Sequence, residues 1–313
     1  MIIIKTLKTT LAAMVLALSV SVAQAGSFDQ LVAFGDSLSD TGNITSMFGI
    51  PLAPYAVGRF SNGPVWIDRL ASNLRLSSLN SQNGGTNYAW GGATSGPGST
   101  NLLDQATTYL TDVGGVANLN GLYSIWIGGN DVLDAAVGDP IAAIADQAAA
   151  NVSSVVTDLA AAGAMTFLVP NLPDIGLTPS SSGDSALATY RSDLTAAYNL
   201  TLAMTLGSLE SSLGVNIIAF DVAALFAQLV TDPDSFGFTN AIDKCWTGTV
   251  LGTNGIQCSE PNSYVFWDDV HPTAAAHAVL GDMAFSQVVP IPAAVWLFGS
   301  ALLGLIGIRK RAA

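Results

Sequence analysis

Four short, mainly apolar runs punctuate the chain: Leu31-Val32-Ala33-Phe34, followed by residues 123–127, 165–169 and 215–220. Each is bounded by Gly, Asp, Asn or Pro, and a strand covered on both faces reads in this way, so the pattern predicts four buried parallel strands. Between them, residues 140–162 and 182–213 are rich in Ala and Leu, with apolar positions at helical spacing. Strands alternating with helices predict an α/β sandwich around a parallel sheet. Residues 84–100 hold six glycines and a proline. That composition suits a loop at a strand end, where open parallel sheets build their sites.

Half of the 313 residues are apolar and 11% are charged, a balance that would suit a membrane protein if it were spread evenly. It is partly concentrated at the two ends. Lys5 and Lys8 precede an apolar stretch over 11–22 that closes on Ala23-Gln24-Ala25, which predicts a cleaved secretory signal over 1–25. Residues 288–308 carry no charge and run into Arg309-Lys310-Arg311. The tail over 288–313 is therefore read as a single transmembrane segment with its basic end in the cytoplasm. The body over 26–287 keeps all 23 carboxylates against five cations, Arg59, Arg69, Arg75, Arg191 and Lys244, and so carries −18 where the whole chain carries −13. A strongly acidic surface excludes a nucleic-acid partner, which needs clustered Lys and Arg. Two cysteines and two histidines leave little for a zinc site, and no metal or cofactor is expected. No internal repeat interrupts the body, so one domain is expected.

The first candidate for chemistry follows the first strand. Gly35-Asp36-Ser37-Leu38 places a serine just after a buried strand, where a tight turn presents its hydroxyl at the sheet edge with a free backbone N–H. Alone, this is an ordinary turn sequence. The second candidate is Trp267-Asp268-Asp269-Val270-His271-Pro272. An Asp three residues before a His can hold its Nδ1–H and leave Nε2 free to accept a proton. Asp269 is expected to cap or face solvent, and Pro272 to open a last helix over 274–285. His277, inside that helix, is expected to be structural. Donors for a developing oxyanion are offered by Asn130, in Gly128-Gly129-Asn130-Asp131, and by a backbone N–H of the adjacent Gly91 and Gly92. Cys245 and Cys258, in an exported chain, predict a disulfide closing a surface loop. A thiol nucleophile is disfavoured because neither Cys has a His near it in sequence.

Taken in order, Gly-Asp-Ser-Leu, the glycine block, Gly-Gly-Asn-Asp and Asp268-x-x-His271-Pro272 resemble the GDSL or SGNH hydrolases. Residues 34–43 and 58–64 bring the likeness nearest to the lipase, phospholipase and haemolysin branch. The resemblance implies a three-layer α/β/α sandwich of flavodoxin-like type with a five-stranded parallel sheet. It also implies a serine esterase with Ser37 as nucleophile, His271 as base and Asp268 as orienter. Its oxyanion donors would be the N–H of Ser37, the N–H of Gly92, with Gly91 the alternative, and the Asn130 side chain. The substrate would be a small-molecule or lipid ester. A carbohydrate O-acetylesterase acting on exopolysaccharide is the rival within enzymes, with Trp66, Trp90 or Trp267 as sugar platforms or, more simply, core. A silent surface-binding domain is the rival outside them. The loops over 44–57 and 236–264 would set specificity. The tail over 289–300 resembles a PEP-CTERM sorting signal, with Ile291 in place of the name-giving Glu. It implies export across the inner membrane of a Gram-negative bacterium to the surface or beyond, with export machinery and an exosortase-type enzyme as partners and a plain anchor as the alternative.

Overall fold

The computed structural model describes residues 28–289. The signal read at 1–25 and the tail read at 288–313, apart from its first two residues, lie outside the described residues. Among the described residues no helix is long and apolar enough to cross a membrane.

All four apolar runs are strands: β1 (Gln30–Gly35), β2 (Gly121–Trp126), β3 (Thr166–Pro170) and β4 (Asn216–Phe220), hydrogen-bonded in that order and all parallel. β2 is buried at every residue, as a parallel strand with helices on both faces must be. β4, at the sheet edge, is buried only at Phe220. The expected fifth strand is present in irregular form. Ala33 N–H donates to the Thr86 carbonyl (3.1 Å), while the N–H groups of Tyr88 and Trp90 donate to the carbonyls of Ala33 and Gly35 (2.7 and 3.0 Å), so residues 86–90 line the free edge of β1. The glycine block thus opens on a turn at Gly84 and Gly85, runs along the sheet over 86–90 and becomes loop afterwards. The polar Thr-Asn start of that segment hid the strand.

Alternation along the strands sorts side chains to two faces. Phe34 and Tyr123 pack edge-on against Tyr109 of α3 (Leu102–Asp112), and α5 (Ile141–Ala161) and α6 (Ser185–Leu213) complete that layer. Trp126 points the other way, onto Trp66 of α2 (Trp66–Leu74), with ring centroids 5.2 Å apart. Against α2 lies α8 (Ala274–Val288). The result is the three-layer α/β/α sandwich. α6 starts later than its composition suggests because residues 179–181 form a separate turn and the Asp184 carboxylate caps the N–H groups of Ala186 and Leu187 (3.0 Å each).

Beyond β4, α7 (Val222–Thr231) leads to a two-stranded parallel pair, β5 (Asn240–Lys244) and β6 (Tyr264–Phe266). A disulfide joins Cys245 to Cys258 between them. Pro272 does not open the last helix. It bridges back to Phe266, and Thr273 takes the capping role, its Oγ1 accepting from Ala276 N–H (3.3 Å). The reason is the tight loop before it, closed by Trp267 N–H on the His271 carbonyl (2.7 Å), which needs extended chain on its way out. The disulfide closes a loop of 13 positions, and loops of that size lose about 3 kcal/mol of denatured-state entropy. The double variant C245A/C258A is expected to unfold at lower urea with a stability loss of about 2–4 kcal/mol, as read from equilibrium denaturation.

Candidate active site

β1 ends at Gly35, where a side chain would collide with the Trp126 carbonyl of the neighbouring strand. Only glycine lets the two strand ends close up. The chain then turns sharply: the N–H groups of Ser39 and Asp40 both donate to the Asp36 carbonyl (3.0 and 2.9 Å), which lifts Ser37 onto the sheet edge. From the other end of the body, Asp268 folds the chain around its own carboxylate. Its Oδ1 accepts from the N–H groups of Val270 (3.0 Å) and His271 (2.8 Å), and so the imidazole doubles back over it. His271 Nδ1 lies 2.9 and 2.8 Å from the two Asp268 oxygens, and His271 Nε2 lies 2.7 Å from Ser37 Oγ. None of the three residues is more than 9% exposed. Hydroxyl, imidazole and carboxylate in this order form a path along which a proton can leave the hydroxyl.

The expected donors gather around the same point. Gly91 N–H donates to Asp40 Oδ2 (3.0 Å), which removes it from the alternatives. Gly92, with φ +80°, which favours glycine, has no acceptor for its N–H among the described residues, and neither does Ser37. Asn130 stands in the first turn of the short helix α4 (Gly129–Asp134) that follows β2. Its Nδ2 gives one hydrogen to the Ala93 carbonyl (2.8 Å) and keeps the other. Ser37, His271, Gly92 and Asn130 line one cleft of about 330 Å³, walled by Ile44, Ile50, Phe60 and Leu133 among others.

Residues 31–283 match the model of the GDSL-like lipase/acylhydrolase family. This chain belongs to that family. Among curated relatives it is similar to Lipase 1 of Photorhabdus luminescens, at 31% identity over 91% of this chain and 54% of the relative. It is also similar to the phosphatidylcholine-sterol acyltransferase of Aeromonas hydrophila, at 28% over 82% of this chain and 89% of the relative, and to esterase EstA of Pseudomonas aeruginosa, at 32% over 83% and 46%. The chain thus spans about half the length of the lipase and the esterase. Among solved structures, the acetylxylan esterase Axe2 of Geobacillus stearothermophilus aligns over 86% of this chain and 97% of its own, with 16% identity and a TM-score of 0.47.

Several residues of this GDSL-like site escaped the sequence. The Asp40 carboxylate takes the N–H groups of Gly42 and Asn43 on one oxygen (2.7 Å each) and those of Ile44 and Gly91 on the other (3.2 and 3.0 Å). It thereby locks the serine turn to the glycine block. Its lie within the same Gly-Asp-Ser-Leu-Ser-Asp block was the only signal for it. Tyr55 donates its hydroxyl to Asp268 Oδ2 (2.7 Å), and the Phe60 ring lies against the imidazole of His271 with centroids 5.3 Å apart. Neither had a sequence mark. Asp269 faces half into solvent and pairs with Lys244 (2.6 Å). Trp66 and Trp267 are core, Trp90 is buried, and none of the three lines the cleft. Among the described residues no cluster of three His, Cys, Asp or Glu could hold a metal.

Charge in the site follows from burial and pairing. Burial works against a charged His271, but the Asp268 carboxylate overcomes it by charge and hydrogen bond, and the imidazole pKa rises above its ordinary 6.5. Burial also opposes the Asp268 anion. His271 and the backbone donors outweigh it and hold that carboxyl well below the usual range. Asp36, beside the serine, is pushed by burial up to about 7. His277 is the opposite of His271. It is fully buried, accepts Trp66 N–H on Nδ1 (3.2 Å) and is driven down to about 3. Since the chain has only these two histidines, an NMR titration of the imidazoles is expected to show one titrating above 6.5 and the other neutral until about pH 3. Two histidines titrating together near 6.5 would contradict this electrostatic picture.

Proposed function

We propose that this chain hydrolyses carboxylic esters through an acyl-enzyme on Ser37. The observation that carries the proposal is the line of contacts from Ser37 Oγ to His271 Nε2 at 2.7 Å and from His271 Nδ1 to the Asp268 carboxylate. Ser37 Oγ attacks the ester carbonyl as its proton passes to Nε2, giving a tetrahedral oxyanion. The N–H groups of Ser37 and Gly92 and the spare Asn130 hydrogen supply donors to that oxygen. The imidazolium, held by Asp268, then protonates the departing alkoxide and the C–O bond breaks. Water repeats the cycle on the acyl-enzyme, with His271 taking its proton and Ser37 leaving as the alcohol.

The walls of the cleft speak for the acyl part of the substrate. Ile44, Ile50, Phe60, Leu133 and Ile175 offer hydrocarbon rather than hydrogen bonds, and apolar pockets recognise apolar ligands. A lipid or other alkyl ester suits that lining better than an acetylated sugar, for which no tryptophan among the described residues faces the cleft. Export of the body is part of the same proposal, supported by the pattern over 1–25 and by the disulfide, which persists in oxidising compartments.

Ser37→Ala is expected to reduce hydrolysis of nitrophenyl esters to background. Asn130→Ala, which removes one donor, is expected to lower kcat by about 10²- to 10³-fold. Wild-type rates in S37A protein would overturn the mechanism. His271 must be neutral to act, and pairing with Asp268 raises its pKa, so activity is expected to fall as pH drops, with a kcat/KM midpoint above 6.5. A midpoint well below that value would contradict the pairing.

A further inference from the structure

Behind the cleft lies a second void of about 50 Å³, where α7, α8 and β6 meet the end of β2; Trp126, Phe226, Leu229, Val265 and Leu280 line it. The polar side-chain groups in its wall are already bonded. Trp126 Nε1 donates to the Asn171 carbonyl (3.1 Å), and the Thr178 hydroxyl donates to the Ile175 carbonyl (2.8 Å). A space without free polar partners holds water poorly and hydrocarbon well.

The two spaces share three wall residues, Leu38, Ile175 and Val270. A single layer of side chains therefore stands between the cleft and the void. Two of the three are fixed by the site itself: Leu38 N–H is bonded to Asp36 Oδ1 and Val270 N–H to Asp268 Oδ1, each at 3.0 Å. Ile175 is not sequence-adjacent to the Ser37–His271–Asp268 line. It opens a one-turn 3-10 helix (Ile175–Leu177) whose first turn is held by Asp174 on Gly176 N–H (2.9 Å). Its side chain can be trimmed without touching the bonds that place the serine and the histidine.

We propose that Leu38, Ile175 and Val270 form a partition that ends the acyl channel, and that Ile175 sets the acyl length the enzyme accepts. The wild-type chain is confined to esters of short and medium acyl chains, and the void behind the partition is the space into which a longer chain would extend. This rests on the ester-hydrolase reading above.

The test is a nitrophenyl ester series from butyrate to palmitate, run on the purified full chain and read as the ratio of kcat/KM for the long ester to that for the short one. Ile175→Ala is expected to raise that ratio about tenfold, the worth of roughly two more buried methylenes. Adding Leu229→Phe, which fills the void, is expected to reverse the gain, while L229F alone leaves the wild-type ratio in place because the void is closed. Ile175→Phe thickens the partition and is expected to move the ratio the other way, which keeps the proposal open to failure if I175A does not fold. Ester hydrolysis with an unmoved ratio in I175A and I175F, or a gain that L229F does not reverse, overturns the partition alone. Absence of ester hydrolysis in the wild type overturns the functional reading and the partition with it.

Discussion

A carboxylate taken out of water has to be surrounded by donors, and this requirement organises the site more than any other contact. Asp268 is buried and accepts from two backbone N–H groups, the His271 ring and the Tyr55 hydroxyl. Isolated, such a charge would be driven to protonate. Surrounded in this way it stays ionised, and the donors that satisfy it are the ones that bend residues 268–271 into a tight loop. The direction of the imidazole is thus a by-product of solvating an anion with protein. Asp40 does the same for the other wall, where four backbone N–H groups converge on one side chain. Two acids, neither of which lines the cleft, hold the loops that do.

The frame beneath these loops was largely legible in the sequence, and for a physical reason. Strands buried on both faces accept few polar residues, so β1, β2 and β3 stood out as short, mostly apolar runs despite Ser124 within β2. The extended segment over 86–90 did not, because it sits at the sheet edge and begins with Thr and Asn, whose side chains bond to backbone nearby. The serine, histidine and aspartate were legible through motif order and the scarcity of histidine. Tyr55 and Phe60 were not, since each reaches the site across the fold, Tyr55 from 213 positions away. Nothing in a linear pattern records such a distance. The choice between Gly91 and Gly92 was undecidable from two adjacent identical residues, and became decidable only through the acceptor that occupies one of them.

The two histidines illustrate how little residue type decides. His271 and His277 lie six positions apart and both are buried. One faces a carboxylate and gains basicity; the other accepts a backbone hydrogen bond inside a helix packed on Trp66, with its second nitrogen unpartnered, and loses it. Environment converts the same side chain into a base in one place and a neutral packing element in the other.

The hydroxyl of Ser37 and the His271 ring that meets it are 234 positions apart in the chain. During synthesis, Ser37 emerges from the ribosome with nearly the whole domain still to be made, and the imidazole of His271 arrives almost last. Until the final loop and helix dock, Ser37 Oγ has no imidazole beside it. Order of synthesis therefore leaves the Ser37–His271 contact to form only after nearly the whole domain has been made.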